Sequence, residues 1–211
     1  MRHVGAFLYT HGVAGLILDT FKGLLQTRGA HSITRREIEE LARPQRTRIG
    51  QYFISMDELR LILLARCLSE WTDVLADFKP PVLNRTNFAR GLALQASAQV
   101  PTLRLLALDP SSLADNSRYD AVKLFQLAED TFLKQIRACI DALDVRFSEQ
   151  DSADLVYAIY GMLGGLSLVA SCSPQIQSVM QDTNSRRKHP TVYKAAFTHM
   201  KIMLGTQLES I

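Results

Sequence analysis

The sequence lacks the residue patterns on which catalytic and metal sites depend. It contains no nucleophile elbow, Walker loop or dinucleotide-binding glycine fingerprint. Its histidines show no metal-ligand spacing with one another or with cysteine; they are His3, His11, His31, His189 and His199. We therefore expect a protein that is not an enzyme and that uses no metal ion and no cofactor.

Cysteine is scarce, and Cys67, Cys139 and Cys172 lie far apart in the chain. An odd number at such spacing argues against a disulfide framework and indicates reduced thiols in a core. The N-terminal segment also lacks the clean charged start and the cleavage site of a signal peptide. These features predict a cytoplasmic protein.

No segment alternates apolar and polar residues for long enough to indicate a β-strand. Long apolar stripes at helical spacing occupy residues 59–78 and 117–143, and 211 residues with 47% hydrophobic content can bury a full core. Shorter helices are predicted for residues 86–100 and after Pro101, whereas residues 111–116 have the composition of a loop. The predicted fold is all-α, with about nine helices.

Residues 153–170 are apolar on every side, with Asp154 as their only charge. This pattern is typical of a membrane span, of a fully buried helix, or of a helix that a second subunit partly covers. The pair Gly161 and Gly165 allows close backbone approach in all three cases. The flanks lack basic and aromatic anchors, which argues against the membrane. A final helix is predicted after Pro190.

Positive charge is concentrated at the N-terminal end. Residues 1–55 contain eight Arg and Lys against four Asp and Glu, a net charge of +4, while the whole chain carries +3. A basic N-terminal domain on a nearly neutral body is typical of a nucleic-acid partner for that domain alone. A solvated helix surface is the alternative interpretation of the same composition.

Residues 17–64 have the pattern of three short helices and the start of a long one. The second helix begins at a capping box of Thr34 and Glu37, in which each side chain satisfies an unpaired backbone N–H group. Ile38 and Leu41 are its inward-facing residues. The short length of this helix and the spacing of its apolar residues indicate a small unit packed on its neighbours.

Arg43-Pro44 ends the second helix, and Gln45 is the predicted N-cap of a third helix over residues 45–52. A second capping box, Ser55 with Glu58, then begins a long helix. Two short helices joined by a tight turn, with a further helix on either side, form the pattern of a helix-turn-helix DNA-binding unit.

This spacing resembles that of the tetracycline-repressor-like (TetR) family of transcription regulators. The residues that match the family motif occur without insertion or deletion: Ile17, Leu18, Leu24, Leu25, Gly29, Thr34, Ile38, Ala42, Phe53, Ser55 and Leu59. The resemblance implies a DNA-binding domain over residues 1–55 and a helical ligand-binding and dimerisation domain over residues 56–211. It implies a ligand-responsive regulator, a repressor in the simplest case, that binds a near-palindromic operator in double-stranded DNA as a homodimer.

The resemblance also implies three sites. The DNA contacts expected from it are Thr34, Arg35, Arg36, Gln45, Arg46, Thr47, Arg48, Gln51 and Tyr52. The expected pocket for a small apolar or aromatic ligand contains Trp71, Phe88, Tyr119, Phe125, Tyr157, Tyr160 and Met162. The expected dimer interface contains Leu155, Ile159, Leu163, Leu166, Tyr193, Phe197 and Met200. Candidate counter-ions for a ligand carboxylate are Arg90, Arg104 and Arg137.

The chain departs from the family motif at several positions. Gly50 stands where the family usually has a tyrosine that contacts a DNA phosphate, and Met56 stands where it usually has a lysine. The small residue that usually follows Ile38 is replaced by Glu39. These departures support an alternative function, a ligand-binding or protein-interaction module of the same shape that no longer reads DNA. Neutralisation of the recognition surface by Glu37, Glu39 and Glu40 would favour that alternative.

Overall fold

The computed structural model describes residues 12–42, 48–78, 84–170 and 191–205. Within these ranges the chain forms nine α-helices and two 3-10 turns, and it contains no β-strand. The prediction of an all-α fold with about nine helices is therefore confirmed.

The elements fall into two groups. In chain order the helices are α1 (Gly12–Leu24), α2 (Arg35–Leu41), α3 (Met56–Ala76), α4 (Arg85–Ala98), α5 (Val100–Leu106), α6 (Pro110–Asp115), α7 (Tyr119–Asp141), α8 (Glu149–Ala170) and α9 (Val192–Met203). The first 3-10 turn is Ala30–Ser32 and the second is Ile49–Gln51. We call α1, α2 and the two turns the N-terminal unit, and α3 to α9 the helical body.

The apolar side chains of the N-terminal unit belong to one continuous core that extends into the helical body. Its fully buried large side chains in this unit include Ile17, Leu18, Phe21, Ile38 and Ile49. Full burial of such side chains stabilises a fold by roughly 1.5–3 kcal/mol each. The predicted start of α2 is also present, because Thr34 and Glu37 form both hydrogen bonds of a capping box.

Ion pairs join α1 to α3. Arg66 of α3 pairs with Asp19 of α1 at 2.8 Å and with Glu70 one turn further along α3 at 3.0 Å. Glu70 also pairs with Lys22 of α1. Because all four side chains are partly exposed, each pair contributes little on its own, about 0–1 kcal/mol. Their role is to fix how α1 lies along α3.

The helical body is centred on α3 and α7, which make the most extensive contact between two helices. α9 packs against α4 and α8, and α5 contacts both α3 and α8. Trp71 of α3 is fully buried, and its ring centroid lies 5.2 Å from that of Phe132 of α7. This aromatic contact marks the middle of the body.

Two local predictions from the sequence are wrong. Residues 111–116, expected to form a loop, lie mostly in α6. The Asp109 carboxylate accepts a hydrogen bond from the N–H of Ser111, Pro110 occupies the first turn, and Leu113 is buried. An N-cap, a proline near the N-terminus and one apolar anchor are enough to begin a short helix.

The second error concerns α2. Leu41 was expected to face inward and is 61% exposed. Ala42, one full turn after Ile38, is buried and takes the inward position instead. The two inward positions are therefore four residues apart rather than three.

No helix within the described ranges has the length and apolar character needed to cross a membrane. The segment for which a membrane span was considered lies in α8. That helix has two different sides, because Leu155 and Ile159 are buried while Asp154 and Tyr157 are exposed.

Candidate nucleic-acid interface and its links to the helical body

The first turn of α2 is held in place by charge-assisted hydrogen bonds. Glu37 accepts from Nη1 of Arg28 at 2.6 Å, and also from the backbone N–H and the hydroxyl of Thr34. The hydrogen bond from Arg28, together with those from Thr34, lowers the pKa of the Glu37 carboxyl to about 2. Arg28 donates a further hydrogen bond to the carbonyl of Ser32 at 2.5 Å. The turn after α1 is thereby fastened to the start of α2.

One carboxylate joins α2 to the second 3-10 turn. Oε1 of Glu39 accepts from Nε of Arg35 at 3.0 Å and from the backbone N–H of Ile49 at 2.7 Å. Burial raises the pKa of Glu39, but the hydrogen bonds from Ile49 and Arg35 outweigh it, so the pKa lies below its ordinary value. Glu39 therefore positions the turn relative to α2.

Five of the predicted DNA-contact residues form an exposed surface that we call the basic edge: Thr34, Arg35, Arg36, Arg48 and Gln51. The side chain of Arg35 reaches across to Gly50, so the first turn of α2 and the second 3-10 turn contribute to one continuous surface. Tyr52 is half-buried. The remaining predicted contacts, Gln45, Arg46 and Thr47, lie outside the described residues.

The predicted third helix over residues 45–52 is wrong in its described part. Arg48 has an extended backbone, with φ −98° and ψ 121°, and only Ile49–Gln51 form a 3-10 turn. An extended residue cannot lie inside a continuous α-helix. The hydrogen bond from Ile49 N–H to Glu39 takes the place of a helical one at this point.

An ion pair with one buried member, Glu58, links the end of the N-terminal unit to the start of α7; the side chain of the other member, Arg118, is 46% exposed. Glu58 of α3 is fully buried and accepts from Nε of Arg118 at 2.6 Å. Nη2 of Arg118 donates to the carbonyl of Tyr52 at 2.6 Å. Next to it, the hydroxyl of Ser55 donates to the carbonyl of Asn116 at 2.6 Å. Arg118 and Asn116 thus hold both the end of the second 3-10 turn and the beginning of α3.

A buried cation links α1 to α8. Arg104 of α5 is 8% exposed and donates from Nη1 to the carbonyls of Leu25 and Arg28, at 2.7 and 2.9 Å. Its Nη2 donates to the carbonyl of Ala170, the last residue of α8, at 2.7 Å. Burial lowers the pKa of this guanidinium. The last carbonyls of a helix lack partners within the helix and carry partial negative charge, so a cation suits both helix ends.

No local sequence pattern indicates these two links. Glu58 was identified as part of a capping box but not as the partner of Arg118. Arg104 was considered only as a counter-ion for a ligand carboxylate, and in the structure it binds backbone carbonyls. Of the other two candidates, Arg137 pairs with Asp141 at 3.6 Å and Arg90 is exposed. Burial of a charged residue depends on tertiary contacts that leave no local pattern.

The predicted ligand-pocket residues divide into two groups. Trp71, Phe88 and Phe125 are buried in the core of the body, and Met162 and Tyr160 are half-buried. Tyr119 and Tyr157, at 78% and 67% exposed, lie on the surface, so their assignment to a pocket is wrong. Both tyrosines lie on the solvent side of their helices, a position that aromatic character alone does not reveal.

Polar groups accompany the aromatic residues in the centre of the body. Nε1 of Trp71 donates to the side-chain carbonyl of Gln95 at 3.0 Å, and the hydroxyl of Tyr160 donates to Glu129 at 2.5 Å. Burial, together with the neighbouring Glu129 carboxylate, raises the pKa of Tyr160. The Phe132 ring lies beside both Trp71 and Tyr160. We call these five residues the Trp71 cluster.

The predicted dimer interface requires correction. Five of its residues are buried within a single copy of the chain and are not available to a partner: Leu155, Ile159, Leu163, Leu166 and Met200. Tyr193 and Phe197 are half-buried and stack on each other at 5.9 Å. The five buried residues form the sides of α8 and α9 that pack against the body.

The opposite side of α8 is exposed and made mainly of small residues. Its exposed residues in the described part include Tyr157, Ala158, Gly161 and Gly165. A Cβ built on either glycine would have no neighbour within 4 Å among the described residues. We call these four residues the glycine face of α8.

Within the described residues, no group of three His, Cys, Asp or Glu side chains could hold a metal ion. Cys67 and Cys139 are free and buried, and burial raises the pKa of the Cys67 thiol to about 11. The chain matches no protein-family model and no curated protein sequence. Its candidate sites therefore rest on the residues and geometry described above.

Proposed function

We propose that the chain is a ligand-responsive transcriptional regulator, a repressor in the simplest case, that binds a near-palindromic DNA operator as a homodimer. The observation that carries the proposal is the basic edge. Its arginines and polar side chains are exposed on two consecutive short helical elements, which stand on the buried residues Ile38, Ile49 and Phe53. A rigid support with exposed arginine and polar side chains suits contacts to DNA phosphates and base edges.

Homodimer formation is proposed through the glycine face of α8. Glycine and alanine allow two helices to approach closely, and an exposed aromatic such as Tyr157 adds contact area. Two copies related by a twofold axis would present two basic edges. For successive major grooves, their separation would be about 34–36 Å.

A small apolar or aromatic ligand is proposed to act through the Trp71 cluster. The cluster combines aromatic rings with a few polar groups, a composition typical of sites for small molecules. A ligand that binds one conformation of the helical body more tightly than another favours that conformation. The two conformations would hold the subunits of the dimer differently, so that only one of them fits DNA well.

The test is selection of bound duplexes from random DNA with the full chain, followed by fluorescence anisotropy on the selected sequence at several salt concentrations. We expect a twofold-symmetric selected sequence and an affinity that falls steeply with salt, because Lys and Arg contacts to phosphate release counterions. Absence of an enriched sequence, together with no salt-sensitive binding, would contradict the proposal.

A second candidate function is a ligand-binding or protein-interaction module that does not bind DNA. Three ion pairs favour it, because each places a carboxylate of α2 against an arginine of the N-terminal unit: Arg28–Glu37, Arg35–Glu39 and Arg36–Glu40. The variant Glu40→Gln separates the two functions. If the chain binds DNA, this variant should bind more tightly, because it removes a negative charge beside Arg36. If the chain is the alternative module, neither the wild type nor the variant should bind DNA.

A further inference from the structure

Gly50 is the position in the basic edge at which an added side chain would meet the guanidinium end of Arg35. A Cβ built on Gly50 would overlap with Nη2 of Arg35 and lie 3.5 Å from its Cζ. The backbone does not require glycine here, because the only described glycines with positive φ are Gly12 and Gly205. What the missing side chain provides is space for the guanidinium of Arg35.

The guanidinium is held in this space from one side. Its Nε donates to Glu39, and the same carboxylate oxygen accepts from the N–H of Ile49, the residue before Gly50. Among the described residues Nη1 and Nη2 of Arg35 have no hydrogen-bond partner, and 46% of the side chain is exposed. Two N–H groups on one planar fork, held in a fixed orientation, match two oxygens of a phosphate.

We propose that Arg35, Glu39 and Gly50 act as one unit, in which Arg35 supplies the phosphate contact of the second 3-10 turn and Glu39 and Gly50 position it. This inference rests on the proposed function. Gly50 replaces the tyrosine that usually contacts a phosphate in the family that the sequence resembles. In this inference, the absence of a side chain at Gly50 leaves space for Arg35 of α2 to make a phosphate contact instead. A contact fixed to both elements sets the register of the turn on the DNA backbone.

Arg36 is the matched control for Arg35. It has the same charge, lies next in sequence and pairs with a carboxylate four residues on, Glu40, at 2.8 Å. Its side chain is 88% exposed, and its pairing involves α2 alone. If Arg35, Glu39 and Gly50 act together, loss of Arg35 and loss of Arg36 should therefore have different effects, although composition alone does not distinguish the two arginines.

The experiment measures binding of Arg35→Ala, Gly50→Ala, the double variant and Arg36→Ala to the selected duplex by anisotropy, across a salt series. We expect Arg35→Ala to weaken binding about tenfold and to reduce the salt slope by about one, as loss of one phosphate contact does. Gly50→Ala should cause the same loss, because the new methyl group displaces Nη2. The double variant should bind no more weakly than Arg35→Ala.

Arg36→Ala also removes a charge from the basic edge, but it should weaken binding less than Arg35→Ala does, because the Arg36 guanidinium is not fixed to the second 3-10 turn. Circular dichroism checks that all variants are folded. Binding by Gly50→Ala at the wild-type level, additive losses in the double variant, or an equal loss in Arg36→Ala would overturn the inference while leaving DNA binding intact. If wild-type protein binds no duplex, both the inference and the proposed function fail, so the two failures are distinguishable.

Discussion

The N-terminal unit and the helical body are stabilised in different ways. In the N-terminal unit, much of the geometry is set by charged side chains at or near the surface, such as Glu37 with Arg28 and Glu39 with Arg35. In the body, aromatic and aliphatic side chains around Trp71 and Phe132 are buried. Surface ion pairs are weakened by salt and acid, whereas apolar burial is not. The unit that we propose to bind DNA is therefore the part more sensitive to solution conditions.

The two regions are joined by two arginines, Arg104, which is buried, and Arg118, whose side chain is 46% exposed. Both donate to backbone carbonyls of the N-terminal unit or of the turn that follows α1. Removal of either arginine link should therefore destabilise the N-terminal unit more than the body. A substitution inside one region should change the stability of that region alone.

The largest effect is expected for Arg104→Met. The variant leaves the carbonyls of Leu25, Arg28 and Ala170 without their donor, at a cost of about 3 kcal/mol in the free energy of unfolding. Hydrogen exchange should accelerate most at the amides of residues 25–42. Urea denaturation and exchange mass spectrometry measure both effects. The exposed Arg90→Met is the control, and equal exchange in the two variants would contradict the proposed link.

A smaller loss is expected for Glu58→Gln. A neutral amide cannot balance the charge of Arg118, and its –NH₂ group faces other hydrogen-bond donors. The free energy of unfolding should therefore fall by about 2 kcal/mol. Thermal denaturation followed by circular dichroism measures the loss. Glu149→Gln is the control, because the Glu149 side chain is 93% exposed. A melting temperature like that of the control would show that Glu58 is not part of the link.

The glycine face gives a prediction of intermediate size that concerns assembly and not folding. Gly161→Leu should leave the monomer as stable as before, since no atom of the described residues lies within 4 Å of the added Cβ. In a dimer the same side chain would separate the helices, and a cost of about 1–3 kcal/mol corresponds to roughly 5- to 150-fold weaker association. Sedimentation velocity over a concentration series measures association. Gly23→Leu, on the exposed side of α1, is the control.

The smallest effect is expected from pH. The pKa of Glu37 is lowered to about 2 in the folded state, below the ordinary value of a glutamate. The stabilisation that ionised Glu37 gives the folded state is therefore fully present when the pH is above the ordinary pKa of a glutamate, and it is lost as the pH falls toward 2. Urea denaturation of wild type and Glu37→Gln between pH 6 and about 3 should show a smaller acid-induced loss in the variant. Parallel curves for the two proteins would exclude this role of Glu37.

Features governed by local sequence could be predicted. The capping side chains Thr34 and Ser55 were identified correctly because a cap depends on residues three positions apart. The all-α fold followed from apolar periodicity. The short helix α6 was missed because its turn-like composition also suits an N-cap and a proline in the first turn.

Features that depend on tertiary contacts could not be predicted. Residues 153–170 are apolar on every side, so periodicity could not separate the side of α8 that packs against the body from the glycine face. Arg104 and Arg118 contact carbonyls and a carboxylate 60 or more residues away in sequence. Arg35 was predicted as a DNA contact and is exposed in the structure, but its relation to Gly50 depends on how α2 and the second 3-10 turn meet.

The position of Arg104 has a consequence for how a disturbance would spread through the molecule. Its guanidinium is shared by the carboxyl-terminal ends of two helices, one at the start of the described chain and one near the proposed subunit contact. If the last turn of α8 moves away, Arg104 must either follow it and release α1, or stay and give up two hydrogen bonds to Ala170. Either outcome leaves a buried charge with fewer partners, so the two helix ends are energetically favoured to move together.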